Sequence, residues 1–277
     1  MNENQHFVPK FYLKNFATMR KNNFYLNCFS KLDERIFLTN IKNIANNKNF
    51  YGFNDISEGN TPNVLKKIIQ DESLGILSDE EKMSISIFAS LLMVRTNHER
   101  MMMDQMLNGV MQRIIPHLHL SSKASDYIFN WTNEGFRSYI AKSVPELASV
   151  VYTMKWFLSV NNTDLPFWIS DSPICKENNC IPPQGLSNLG LRCRGIQVHL
   201  PISPTLILHF LDPERFFKVP NIMDFFDEEV VIHYNYLQVY NSVRFIYSAN
   251  ADFSFAKIVI EKLPDLKRGS GISMMVC

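Results

Sequence analysis

Helical periodicity in the first half of the chain and strict alternation in the second predict an α+β protein. Apolar residues recur at helical spacing in Val64, Leu65, Ile68 and Ile69, and again in Phe88, Leu91 and Leu92. After residue 144 they alternate instead, as in Tyr152, Met154, Trp156, Leu158 and Val160. A third observation is continuity: no repeat, no low-complexity tract and no linker rich in Gly, Ser or Pro divides the 277 residues. The chain therefore reads as one α+β domain over 1–277, helix-rich over 1–143 and sheet-rich over 144–277. The helical half is expected to pack on a mainly antiparallel sheet.

The elements follow in order. Gln5-His6-Phe7-Val8-Pro9-Lys10-Phe11-Tyr12-Leu13-Lys14-Asn15-Phe16 is too apolar for a loose terminus, so it is expected to enter the core and carry His6 to a polar pocket. Residues 24–29 and 36–38 read as the strands of a hairpin, joined by the polar segment 30–35. Residues 46–49 form a loop, and the aromatic segment 50–53 returns to the core. Thr61 caps a helix whose first position is Pro62. Ser78-Asp79-Glu80-Glu81 is a capping box for a helical pattern over 79–113, with a break near Asn97. Met101, Met102, Met103, Met106 and Met111 give that pattern an adaptable packing surface. Residues 126–140 suggest a short helix and 145–149 a single turn. A strand over 152–160 then pairs with 167–169 as a hairpin. Residues 175–194 read as a long loop, and 196–200 and 205–209 as strands around the bend Pro201-Ile202-Ser203-Pro204. Residues 220–227 are loop or short helix, 228–241 a helix, 244–247 a strand and 253–263 a closing helix.

The opening, Gln-His-x-Val-Pro-x-x-Tyr-Leu-x-x-Phe, resembles that of a large, mostly prokaryotic family of domains of unknown function. Further features of that family follow in order: Glu58 before a helix, Arg95-Thr96 within one, Trp168-Ile169-Ser170-Asp171-Ser172-Pro173, Leu200-Pro201-Ile202-Ser203-Pro204, and Asn235 with Gln238. The family often has proline after Arg-Thr, where this chain has Asn97. The resemblance implies no settled activity, so the chemistry has to come from the residues.

At 46% hydrophobic and 12% aromatic the chain can build a sizeable core. A formal net charge of +1 supplies no global field for nucleic acid or an anionic membrane, so nucleic-acid binding would rest on a local patch. No apolar run approaches the roughly 20 residues of a membrane span. The N-terminus lacks a basic region followed by an apolar stretch, so a cytoplasmic protein is expected. The five cysteines are scattered and odd in number, which fits reduced thiols. Cys175, Cys180, Cys193 and His199 match no standard zinc spacing, and His117 with His119 alternates to opposite faces; no metal and no cofactor are expected.

Isolated polar residues in apolar surroundings carry the functional reading. Asp171 ends an apolar strand, where it would orient water or stabilise a cationic transition state; Ser-Asp-Ser-Pro is equally good turn chemistry. His6 would be a general acid or base, or else a buried hydrogen-bonding histidine. Arg95 lies beside a buried stripe and would clamp an anion, or pair structurally. Gln5, Glu58, Ser170, Ser203, Asn235 and Gln238 would line the substrate. Glu58 is also placed to face a positive helix end. Phosphate-binding glycine loops, G-x-S-x-G, a cysteine with an evident histidine partner and the clustered carboxylates of a two-metal nuclease are all missing. The set suits an intracellular hydrolase acting on nucleotide or nucleic acid, with metal-independent cleavage of a base–sugar bond preferred and a role in defence against phage or mobile elements. The loop from His199 to Pro204 has a faint likeness to the His-Pro-Ser-Pro-type loop of uracil-DNA glycosylases, in a different order. Alternatives are a nuclease and a non-enzymatic binding or regulatory module.

Overall fold

The computed structural model describes residues 4–48, 59–114, 133–180, 188–269 and 271. It is a mixed α+β structure with two five-stranded, mostly antiparallel sheets and one two-stranded ribbon.

The opening stretch is folded in. Strand β1 (Asn4–His6) pairs antiparallel with β5 (Asn46–Lys48), placing His6 opposite Asn46. Pro9 then starts the short helix α1 (Lys10–Lys14). Phe7, Val8, Tyr12, Leu13 and Phe16 are buried and Phe11 is partly buried against Phe88. The Tyr12 hydroxyl donates to the Pro201 carbonyl at 2.5 Å, tying the terminus to the distant second half.

Strands β2 (Thr18–Arg20) and β3 (Asn23–Ser30) form a hairpin. Its two-residue turn has positive φ at both Lys21 (47°) and Asn22 (62°), the signature of a type I′ turn. β4 (Ile36–Asn40) pairs on the other side of β3, as the sequence predicts. Helix α2 (Thr61–Asp71) begins one residue earlier than expected: Asn60 holds the cap position and Thr61 instead meets Ser84 at 3.0 Å. Ser78 and Glu81 make the predicted capping box of α3 (Asp79–Val94). The chain breaks at Arg95 and Thr96 and restarts as α4 (Asn97–Ile114).

The sequence is corrected at α5, which runs unbroken over Asn133–Thr153 with Pro145 inside it. Phe136, Ile140, Ala148 and Val151 are buried, and α5 packs along α3; that burial outweighs the lost hydrogen bond of an interior proline. The strand expected from 152 accordingly starts later, as β6 (Lys155–Asn161). Its expected hairpin partner goes elsewhere: β7 (Ile169–Ser170) pairs with β12 (Phe245–Ser248) in the other sheet. Part of the expected 175–194 loop is strand β8 (Cys175–Asn178), and the 220–227 segment holds β11 (Ile222–Phe225). β9 (Ile196–Ser203) and β10 (Leu206–Leu211) form the expected hairpin, with Pro201 admitted at a register shift.

The first large sheet has the order β11-β6-β10-β9-β8 and the second β2-β3-β12-β7, with β4 beside β3. Alternate residues of the first sheet, among them Leu158, Val198, Leu200, Leu208 and Phe210, join one core with the opening stretch, α2, α3 and α5. Helix α6 (Glu228–Asn241) serves both sheets: Val231 packs on Ile207 of the first, and Val239 on Phe29 and Ile246 of the second. Asp227 caps it by accepting from the Glu229 amide at 2.9 Å. Helix α7 (Ser254–Lys262) completes the second core.

Candidate functional site

The opening stretch and the α3–α4 break meet. Arg95 leaves helical geometry at φ −96°, ψ 2°, a region that active-site residues often occupy. Its guanidinium is buried and Nε donates to the Phe7 carbonyl at 2.8 Å, next to His6. His6 is buried too, with Nε2 3.2 Å from the Ile41 carbonyl. A carbonyl only accepts, so Nε2 carries a proton. The nearby Asn46 amide, 3.5 Å from Nε2, already donates to Lys42 and Ile44 carbonyls at 3.1 Å, which agrees with a proton on Nε2. Gln5, Thr96 and His98 are buried in the same elements. His98 is 8% exposed, and its Nδ1 has no hydrogen-bond partner. Burial, with the positive charges of Lys176 and Lys31, pushes its pKa down to about 4, so the ring is neutral near pH 7. His98 was absent from the sequence-based set, although its place three residues after Arg95 in a helix break was a usable signal.

Asp171 is differently placed. Its two oxygens accept from the backbone amides of Val243, Arg244 and Phe245 at 2.8, 2.8 and 2.9 Å. It hydrogen-bonds to none of Gln5, His6 and Arg95. The turn that the sequence also allowed is present, since Ser170 Oγ accepts from the Ser172 amide at 3.2 Å. Burial pushes the Asp171 pKa up against the pull of the three amides and of Lys31. Only donors face its oxygens, so the ionised form is the one the geometry holds. Lys31, read from sequence as part of a polar connection, is fully buried. Its ammonium donates to the carbonyls of Val239, Ser242 and Gly269 at 3.1, 2.5 and 3.1 Å, at the negative end of α6. Burial lowers its pKa to about 8.

The amides expected to read a ligand read the protein's own backbone. Asn235 accepts from the Trp168 amide at 2.8 Å and donates to the Pro166 carbonyl at 3.0 Å. Gln238 donates to the Pro173 carbonyl at 2.8 Å. Asn241, which the sequence reading missed, donates to the carbonyls of Ser172 and Ile174 at 2.7 and 2.9 Å. Their spacing along one helical face makes α6 a clamp on residues 166–174. Ser203 Oγ accepts from the Thr205 amide at 3.2 Å and so shapes the β9–β10 turn. Glu58 lies outside the described residues, as do His117 and His119.

A polar chain that was not foreseen crosses the first sheet. Glu177 contacts His199 Nε2 at 3.0 Å and His233 Nε2 at 3.1 Å. His199 Nδ1 faces His209 Nδ1 at 2.7 Å, and His209 Nε2 faces Ser159 Oγ at 2.6 Å. An ionised Glu177 only accepts, which makes His199 an Nε2–H tautomer, His209 an Nδ1–H tautomer and Ser159 the donor at the end. Burial lowers the pKa of both His199 and His209. Burial also acts to raise Glu177, but hydrogen bonds and charge from His199 and His233 outweigh it and hold the carboxylate low. Ser159 is completely buried, so this chain staples four strands to α6 rather than offering a nucleophile. His199 and His209 face each other across a hairpin whose strands were legible; Glu177 lay in a segment read as loop.

Among the described residues no group of three or more His, Cys, Asp or Glu side chains is arranged to hold a metal ion. A cleft of about 600 Å³ between α5 and the 191–194 and 212–214 loops contains none of the sequence-selected residues. No described helix is long and apolar enough to cross a membrane.

The buried His-Arg junction and the α6 clamp belong to an α+β protein in which the opening stretch shares the first core with Ile169, while Trp168 packs in the second. Residues 4–252 match the family described as protein of unknown function DUF4238, and the chain belongs to that family. No curated protein and no solved structure matches it.

Proposed function

We propose that the junction of β1 with the α3–α4 break is the working site of a cytoplasmic hydrolase whose substrate is a nucleotide or a nucleic acid. The observation that carries this is the buried Arg95 guanidinium beside a His6 whose Nε2 proton is held by the Ile41 carbonyl. Such an arginine suits a phosphate, and an imidazole held by a carbonyl suits proton transfer. The base–sugar cleavage favoured by sequence needs a carboxylate free to face the sugar. Asp171 is held by three amides, so His6 and Arg95 support phosphoester cleavage better, with Asp171 as a positioning residue. A part in defence against phage or mobile elements is a role this chemistry would fit.

The test uses His6→Gln, whose amide can still donate to the Ile41 carbonyl. Wild type and variant would be incubated, with chelator, with nucleotides and with single- and double-stranded DNA and RNA. Strand cleavage, phosphate release and base release would be followed. The expected result is phosphate-ester cleavage by wild type and a kcat lower by about 100-fold or more in the variant, at unchanged Tm. Equal rates would remove His6 from the chemistry. The clamped state of Asp171, Asn235 and Gln238 favours a second reading, a binding module. Binding of a nucleotide with no turnover on the whole panel would establish it.

A further inference from the structure

We infer that the rim of the cleft beside α5, built from residues 190–196 and 212–219, is a binding surface for single-stranded nucleic acid. This goes beyond the reading above, since the surface stands whether or not the His6–Arg95 junction does chemistry. At a formal net charge of +1, contact with a polyanion has to come from a local patch, and one is built here. Arg192 and Arg194 are exposed and line the cleft of about 600 Å³. Arg215 and Lys218 are exposed on the adjoining loop. None of the ion pairs among the described residues uses any of these four cations. The two loops are stitched together. The Gly195 amide donates to Asp212 Oδ2 at 2.7 Å and the Asp212 amide to the Ile196 carbonyl at 2.9 Å. Arg215 Cδ lies 3.4 Å from the place a Cβ on Gly195 would take. The Asn178 amide holds the Arg194 carbonyl at 2.9 Å, so the backbone that carries the cations is fixed before any ligand arrives.

The negative groups nearby are largely spent. Asp212 is buried, and its oxygens accept from the Gly195 and Glu214 amides at 2.7 and 3.0 Å. That leaves Glu214 as the one exposed acid of the two loops, against four exposed cations. The opposite wall is the C-terminal turn of α5, whose carbonyls would repel phosphate. Three of them are already occupied. The Ser149 and Thr153 hydroxyls donate to the Glu146 and Val150 carbonyls at 2.7 and 2.8 Å, and Trp156 Nε1 to the Val151 carbonyl at 2.9 Å. Phe217 supplies the second half of the surface. Its ring is 65% exposed, with Lys218 Nζ 5.5 Å from its centre. An exposed aromatic ring beside unpaired cations is a stacking platform for a base, while the cations follow the phosphates. Only a base that is not already stacked in a duplex can use that face, which selects single strands. No covalent step is involved.

The experiment measures binding of labelled oligo-dT and oligo-U of about 15 nucleotides, and of the same oligo-dT paired with oligo-dA, by fluorescence anisotropy between about 50 and 200 mM salt. Wild type should bind both single strands more tightly than the duplex. Arg192→Gln with Arg194→Gln should weaken binding and lower the salt slope by about 1.4, the share of two phosphate contacts on a single strand. Phe217→Ala should weaken binding about tenfold at an unchanged salt slope. All of these side chains are exposed, so Tm should stay at the wild-type value. A control that removes the same charge elsewhere, Lys66→Gln with Lys257→Gln, should bind as wild type. An equal loss in that control would reduce the effect to net charge and overturn the surface. So would tighter binding of the duplex, an unchanged affinity in Phe217→Ala, or binding to phosphatidylserine vesicles with none to the oligonucleotides. Binding without turnover would remove the hydrolase and leave the surface standing. Turnover by wild type with undiminished binding in the arginine variant would do the reverse.

Discussion

The α6 clamp and the β1–α4 junction are both buried and polar, and they are finished differently. In the clamp each carboxylate oxygen of Asp171 meets amides, the Lys31 ammonium meets three carbonyls, and Asn235 and Asn241 use their groups on backbone. In the junction the Arg95 guanidinium is bonded to the Phe7 carbonyl next to His6, and in the α4 that follows the buried His98 Nδ1 has no partner. Burial alone therefore does not distinguish a structural polar residue from a working one. Nor does a single unmet atom, since Gln238 Oε1 in the clamp is buried without a partner just as His98 Nδ1 is; the clamp is marked by its charged groups, Asp171 and Lys31, which the backbone meets.

The largest effect expected from this contrast is at Asp171. Asp171→Ala leaves three partly buried amides without their acceptor and the buried Lys31 without its nearby carboxylate. Removing one side of such an arrangement typically costs about 3–5 kcal/mol, so denaturant unfolding should show a loss of that size. Any loss of activity should follow the loss of folded protein. A variant less than about 1 kcal/mol below wild type, yet inactive, would move Asp171 from the clamp into the chemistry.

These two regions were unequally legible in the sequence. The 228–241 helix, the Ser78 capping box and the buried opening could be read locally, because a cap or a 3.6-residue stripe is a property of neighbouring residues. His6 and Arg95 stood out because polar groups interrupt apolar stretches there. Partners far along the chain were not legible. The amides that hold Asp171 lie more than 70 residues away, and nothing near Ile169-Ser170 says that it pairs with β12 rather than β6. Lys31 sits among polar residues and looked like hairpin connection, while its burial follows from where the end of α6 and Gly269 arrive. Asn235 and Gln238 stood out as candidates to line a substrate, but the sequence does not say whether an amide reads a ligand or, as here, the protein's own backbone.

A middle-sized effect is expected from acid. His98 titrates near 4 in the folded protein because of burial and the facing charges of Lys176 and Lys31, against an ordinary value of 6.5. The unfolded chain therefore binds more protons between those values, and the stability tied to a neutral His98 is lost as pH falls from about 6.5 to 4. The full span corresponds to about 3 kcal/mol. Urea midpoints at a series of pH values should show wild type losing more stability than His98→Leu across this window, and the two running parallel above pH 7. Parallel curves through the whole range would mean that His98 is solvated, and the junction would lose its open, buried nitrogen.

The smallest effect is expected at Asn97. Asn97 is the first residue of α4, and its amide has no acceptor within that helix. Proline fits this position because its fixed φ is helical and the N–H it lacks is one the helix does not use. Asn97→Pro gives up only a long contact from the asparagine amide to Met101 sulfur, at 3.7 Å. It also restricts the unfolded chain, worth about 0.4–1 kcal/mol. The variant should therefore melt slightly higher than wild type. This is where the comparison can be sharpened most cheaply. Loss of one donor from the clamp should be damaging, whereas loss of one from the helix start should be tolerated. If Asn97→Pro instead melts several degrees below wild type, the Asn97 amide has an acceptor outside α4 and the helix start is finished as the clamp is.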